Sequence, residues 1–217
     1  MSYLFDFSYS NPTQIVFGTH AFTKLGNLIP PDAKVLLLYG GGSIKRNGVY
    51  EQVTQALAGR QVVEFAGVEP NPTLETLERA VALVREQEVD FILGVGGGSV
   101  SDGAKYIACA ALYDGDGWDI VSSKHFPKQA LPVGIVLTLP ATGSESNVGA
   151  VVTRQATHQK KVFYVPPARP RFAILNPDVM TSLPDRQLEN GIVDAFVHVC
   201  EQYLTYPVGA LVQDGYA

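Results

Sequence analysis

The chain has 217 residues, 46% of them apolar, with 16 Lys and Arg against 21 Asp and Glu for a formal net charge of −5. That length and composition suit one large domain plus part of a second, with material for a sizeable core. Basic residues are scattered rather than gathered in a stripe, which argues against a nucleic-acid partner. No apolar run is long enough to cross a bilayer, so no membrane role is expected. Residues 1–7 lack the basic-then-apolar pattern of a secretory leader, and a cytoplasmic protein acting on small molecules is expected.

Along the chain, β-branched runs at 14–17, 35–39, 62–65, 91–95 and 133–137 predict strands. Helical spacing at 49–57, 74–87 and 100–112 alternates with them, and this alternation implies a mostly parallel sheet covered by helices. The helix from Pro72 is marked by Asn71-Pro72-Thr73 and the stripe Leu74, Leu77, Val81, Val84. After Leu137 the segments 148–153 and 161–164 fit a hairpin, and 172–175 a last strand. Near Pro184 the pattern turns helical, which predicts an α/β domain over 1–184 and the start of an all-helical one over 185–217. Cys109 and Cys200 both lie in apolar helical patterns and read as small buried hydrophobes rather than a disulfide pair. The apolar stretch 192–204 should be exposed or covered by a partner chain, so oligomerisation or aggregation is expected.

Three loops follow strands. Gly96-Gly97-Gly98-Ser99, ahead of Asp102 and Lys105, opens a helix, and glycines there let backbone amides and the positive helix end approach phosphate oxygens. The spacing is neither Gly-x-Gly-x-x-Gly nor Walker A, which disfavours P-loop phosphoryl transfer. The alternative is a plain tight turn. Gly40-Gly41-Gly42-Ser43 precedes Lys45 and Arg46 with no acid in the loop, which favours a ribose 2′-phosphate over a free 2′-hydroxyl and therefore NADP over NAD. The third, Thr138 to Asn147, is rich in hydroxyls and amides, and Thr142 with Glu145 fits a capping box.

Asp194 and His198 stand at i, i+4 among Ile192, Val193, Phe196, Val197 and Val199. Residues so spaced share a helix face. A carboxylate buried among such neighbours costs several kcal/mol unless a positive partner meets it, and a divalent cation is a natural one. A buried Asp–His hydrogen bond is the alternative.

Gly96 to Ser99 with Asp102 and Lys105, then Thr138-Leu139-Pro140-Ala141-Thr142-Gly143-Ser144-Glu145, then Gly191 to His198 with Glu201, resemble the iron-containing alcohol dehydrogenases. The whole chain is similar to the N-terminal part of their NADPH-dependent aldehyde reductase branch. The resemblance implies a Rossmann-like, dehydroquinate synthase-like α/β domain, a helical domain, and an active site between them. It places Gly96, Gly97, Gly98 and Ser99 on the pyrophosphate, Asp102 on the nicotinamide side, and Gly40, Gly41, Gly42 and Ser43 at the adenosine end. Thr138, Thr142 and Asn147 would line the cofactor, and Lys160 would reach its ribose. Asp194 and His198 match two ligands of a divalent metal, iron or zinc, with Glu201 orienting them.

The implied activity is hydride transfer between NADP(H) and a small aldehyde or alcohol, in a homodimer or larger assembly. An NAD-linked polyol dehydrogenase or a metal-dependent lyase on the same architecture is the near alternative. A nucleotide-binding or subunit-interaction module without turnover is the other, because the family completes its metal site with two further histidines and His20, His125 and His158 match neither. Asn176 and Glu189 also depart from the family pattern.

Overall fold

In a computed structural model, which describes residues 10–204 and Gly215, the strand and helix alternation closes into one parallel sheet. The strands are β1 (Gln14–Phe17), β2 (Lys34–Tyr39), β3 (Gln61–Phe65), β4 (Phe91–Gly96), β5 (Val133–Leu137) and β8 (Phe172–Leu175). Their order is β1-β8-β5-β4-β2-β3 and every pairing is parallel. Central strands such as β2 (KVLLLY, after its first residue Lys34) and β4 (FILGVG) are unbroken apolar runs, as strands covered on both faces must be.

Side chains alternate between two cores. Val35, Leu37 and Tyr39 of β2 face the layer of α1 (Phe22–Leu28) and α2 (Val49–Ala56). Leu36 and Leu38 face α3 (Leu74–Glu86), α4 (Gly98–Ala110) and α5 (Gly117–Val121). α3 begins at Leu74, two residues after the expected Pro72, because Thr73 is the cap: its hydroxyl accepts from the Thr76 amide at 3.3 Å, and Leu74, Leu77, Ala80, Val81 and Val84 are buried along one stripe as expected. An antiparallel hairpin, β6 (Gly149–Arg154) and β7 (Gln159–Tyr164), stands apart from the sheet against α4.

α6 (Pro177–Met180) is capped by Asn176, whose Oδ1 accepts from the Asp178 amide at 2.9 Å while its Nδ2 donates to the Thr19 carbonyl at 3.2 Å. α7 (Asp185–Tyr203) follows Pro184, and Gly191 is its one buried residue. Of the helical domain expected over 185–217, residues 205–214, 216 and 217 lie outside the described residues. No helix among the described residues is long and apolar enough to cross a membrane.

Two expectations about α7 meet the structure differently. Ile192, Val193, Phe196, Val197 and Leu204 are exposed, one of the two outcomes expected for this stretch. The desolvation argument for Asp194 does not carry over, because these same neighbours leave its side chain 45% exposed and water solvates the carboxylate. Cys109 is buried and Cys200 only partly so, a correction that follows from the same open face.

Candidate active site

The sheet order reverses between β2 and β4: from β2 the chain steps outward to β3, then crosses back to β4, β5 and β8. Open α/β sheets bind ligands in the crevice beyond the carboxyl ends of strands at such a point. Tyr39 pairs with Val95, so the loops that follow, Gly40 to Ser43 and Gly96 to Ser99, emerge side by side. Two phosphate-friendly segments separated by more than fifty residues are thus brought together by the topology.

Each loop has a local reason for its glycines. Gly42 adopts φ +90°, a left-handed conformation that disfavours other residues, before the 3-10 turn Ser43–Lys45. Around the second loop the limit is space. A Cβ on Gly96 would lie 2.5 Å from a Val100 methyl, one on Gly97 3.2 Å from Leu139 Cβ, and one on Gly98 2.9 Å from the Thr142 hydroxyl. The loop after β5 therefore presses directly on the start of α4. No side chain caps that start, leaving its amides available to an anion.

The β5 loop is fixed from below by a buried network. The Thr138 amide donates to the Gly96 carbonyl at 2.9 Å, continuing the β4–β5 pairing. Lys105, fully buried on α4, donates its three ammonium protons to Ser144 Oγ (2.9 Å), Asn147 Oδ1 (2.9 Å) and the Gly149 carbonyl (2.6 Å). Asp102, one turn earlier, accepts from the Ser144 hydroxyl at 2.5 Å and the Val151 amide at 3.0 Å. Burial pushes the Lys105 ammonium down to about 8, against the attraction of Asp102 and Glu145. Burial likewise raises the Asp102 carboxyl above its ordinary range, opposed by the Ser144 bond and the Lys105 charge.

Thr142 and Glu145 do not form a capping box. Gly143 takes φ +66° and no helix begins there; Thr142 Oγ1 instead accepts from the Ser144 amide at 3.2 Å in a local turn. Glu145 keeps one carboxylate oxygen buried without a hydrogen-bond partner, and it lines a groove of about 370 Å³ between this loop and α7. Leu139, Pro140, Leu188, Ile192 and Ala195 form the groove's other walls. α7 approaches the loop closely, since a Cβ on Gly191 would meet the Pro140 carbonyl at 2.9 Å.

The remaining expected residues fall into two places. Lys160 of β7 donates to Asn71 Oδ1 at 2.6 Å, and the Asn71 amide donates to Ser99 Oγ at 3.3 Å, so the hairpin reaches the mouth of the second glycine loop. Asn147 has its oxygen turned to Lys105 and to the Gly149 amide. On α7, Asp194 Oδ1 lies 3.7 Å from His198 Nε2, and Glu201 Oε2 4.0 Å from His198 Nδ1. Among the described residues no group of three or more His, Cys, Asp or Glu is gathered to hold a metal. His20, His125 and His158 come from other elements.

Sequence reasoning gave Lys105 no role of its own, read Asn71 only as part of a helix start, and did not single out Glu64. The signals were weak: Asp102 and Lys105 share a helix face, but their partners lie 39 or more residues away.

The iron-containing alcohol dehydrogenase family model matches residues 12–177. The chain is 54% identical over 216 residues to the NADPH-dependent aldehyde reductase YqhD of Escherichia coli, covering 98% of this chain and 56% of that protein. It is 49% identical over 212 residues to a probable NADH-dependent butanol dehydrogenase of Bacillus subtilis, with 96% and 55% covered. Among solved structures it superposes on E. coli YqhD with a TM-score of 0.94 at 53% identity, and on NADH-dependent butanol dehydrogenase A of Thermotoga maritima with 0.91 at 42%. Both alignments cover 97% of this chain and 55% of the other. The chain thus spans about half the length of these relatives, and it belongs to the iron-containing alcohol dehydrogenase family.

Proposed function

We propose that this chain forms the nucleotide-binding side of an NADP(H)-dependent, metal-assisted alcohol dehydrogenase that works as a reductase of small aldehydes. The observation that carries this reading is the pair of adjacent glycine loops at the sheet's switch point, one of them opening an uncapped helix. Residues 1–184 are read as the dinucleotide-binding domain, and 185–217 as the start of a helical metal-binding one.

Gly96 to Ser99 would hold the pyrophosphate through backbone amides, with Lys160 and Asn71 beside Ser99. Gly40 to Ser43, with Lys45 and Arg46, would take the adenosine ribose and its 2′-phosphate. Thr138, Thr142 and Asn147 would line the nicotinamide half. Asp102 would stand on the nicotinamide side, held there by the Ser144 hydroxyl and the Val151 amide, one bond to each of its oxygens. Lys105, whose three protons go to Ser144, Asn147 and Gly149, would position the wall on which the nicotinamide rests. The apolar groove beside Ala195 would exclude water from the carbonyl.

Asp194 and His198 offer one carboxylate and one imidazole from a single helix face, a donor set that fits two positions of a divalent first-row metal. The resemblance implies two further histidines. When bound, the metal would act as a Lewis acid toward the carbonyl oxygen and the nicotinamide would carry the hydride. The exposed apolar face of α7 supports a homodimer or larger assembly.

NADPH fluorescence titration of the chain, with and without competing 2′,5′-ADP, tests the cofactor reading. Saturable binding displaced by 2′,5′-ADP is expected, and no binding would overturn it. A second reading is a binding module without turnover. Aldehyde reduction by this chain with Fe(II) or Zn(II), lost in His198→Ala, would refute that alternative.

A further inference from the structure

The expected preference for a 2′-phosphate rested on a basic loop free of acids, but the fold brings an acid in from the neighbouring strand. Glu64 of β3 pairs with Leu37 of β2, and its carboxylate stands 3.8 Å from Lys45 Nζ. Two tyrosines fix it: Tyr39 donates to one oxygen at 2.8 Å and Tyr50 to the other at 2.5 Å. Lys45 Nζ lies over both rings, 5.3 and 4.5 Å from their centroids, and the rings meet edge to face at 6.1 Å. The tyrosine bond from Tyr50, with the nearby ammonium, holds the Glu64 carboxyl below its ordinary range, so the group is anionic wherever the cofactor binds.

Lys45 is therefore not an uncommitted cation. A 2′-phosphate brings a charge of about −1.5 to −2 to a place where Glu64 already matches the ammonium. An unphosphorylated ribose brings none and meets no such competition. The carboxylate is partly exposed, so the competition is moderate rather than prohibitive.

We propose that Glu64 is a selectivity-determining residue: by sharing Lys45 Nζ with the ribose 2′-phosphate of an adenine dinucleotide, it lowers the preference for NADPH over NADH below what an unopposed Lys45 would give. The proposal rests on the reading that the loop from Gly40 to Ser43 takes the adenosine end. Tyr39 and Tyr50 act through Glu64 as its positioning groups.

The test is a set of dissociation constants for NADPH and NADH, by fluorescence titration, in the unaltered chain, Glu64→Gln, Lys45→Met and the double variant. Glu64→Gln should tighten NADPH about two- to five-fold, the range open to a partly exposed ion pair, and leave NADH unchanged. The gain should disappear in the Lys45→Met background and fade at 1 M salt, where the screening length is about 3 Å. An unchanged or lower NADPH-to-NADH preference in Glu64→Gln would overturn the proposal while the cofactor reading stands. Failure of the unaltered chain to bind either dinucleotide would instead bring down that reading, and the proposal with it.

Discussion

Replacing Lys105 by Met removes a charge that the fold holds at a cost, and the cost can be read as a pH dependence. The gap between an ordinary lysine at 10.5 and about 8 in the folded chain corresponds to about 3.4 kcal/mol. Lys105 is fully buried, so solvent screening takes little from this figure. Because the folded value is the lower one, the unfolded chain binds more protons between pH 8 and 10.5, and stability rises with pH across that window. Below pH 8 the penalty is constant.

Urea denaturation followed through the buried Trp118, the chain's one tryptophan, reports the effect. The stability difference between the unaltered chain and Lys105→Met should shift by about 2.5 kcal/mol in favour of the unaltered chain from pH 7 to pH 10, while other titrations cancel. At pH 7 the variant should still be the less stable, since Gly149 loses the one side-chain donor found on its carbonyl and Asp102 its nearest counter-charge. A difference that does not move with pH would refute the reasoning and mean that the ammonium is solvated.

Two further outcomes follow from the geometry. Gly98→Ala should weaken NADPH binding at least several-fold with little loss of stability, because the new methyl displaces Thr142 rather than the core; fluorescence titration beside urea denaturation checks it. A thiol reagent should modify one cysteine quickly in the folded chain and the second only on unfolding. Cys200 is the partly accessible thiol, whereas burial pushes the Cys109 thiol up to about 12 and keeps the thiolate scarce.

The sheet was legible because its strands are covered on both sides and so stand out as unbroken apolar runs, as in 35–39 and 91–95. α1 escaped notice: it has only two buried residues and a central Gly26, which the carbonyl of Ala56 approaches too closely for a Cβ. α5 is five residues long, too short for any period to show. In the site, both glycine loops were visible locally. Their adjacency was not, because it comes from a crossover that returns β4 beside β2.

The same holds for charge. Lys45 looked free of acids because Glu64 is nineteen positions away and arrives only through parallel pairing. Asp194 looked buried because its neighbours are apolar, yet composition cannot say whether a helix face has anything to pack against.

The three protons of one ammonium reach acceptors confined to positions 144, 147 and 149. That arrangement sets the contour length of the segment. Adding or deleting a residue there would leave at least one acceptor out of reach of a side chain rooted in a rigid helix, so the stretch can drift in composition but not in size.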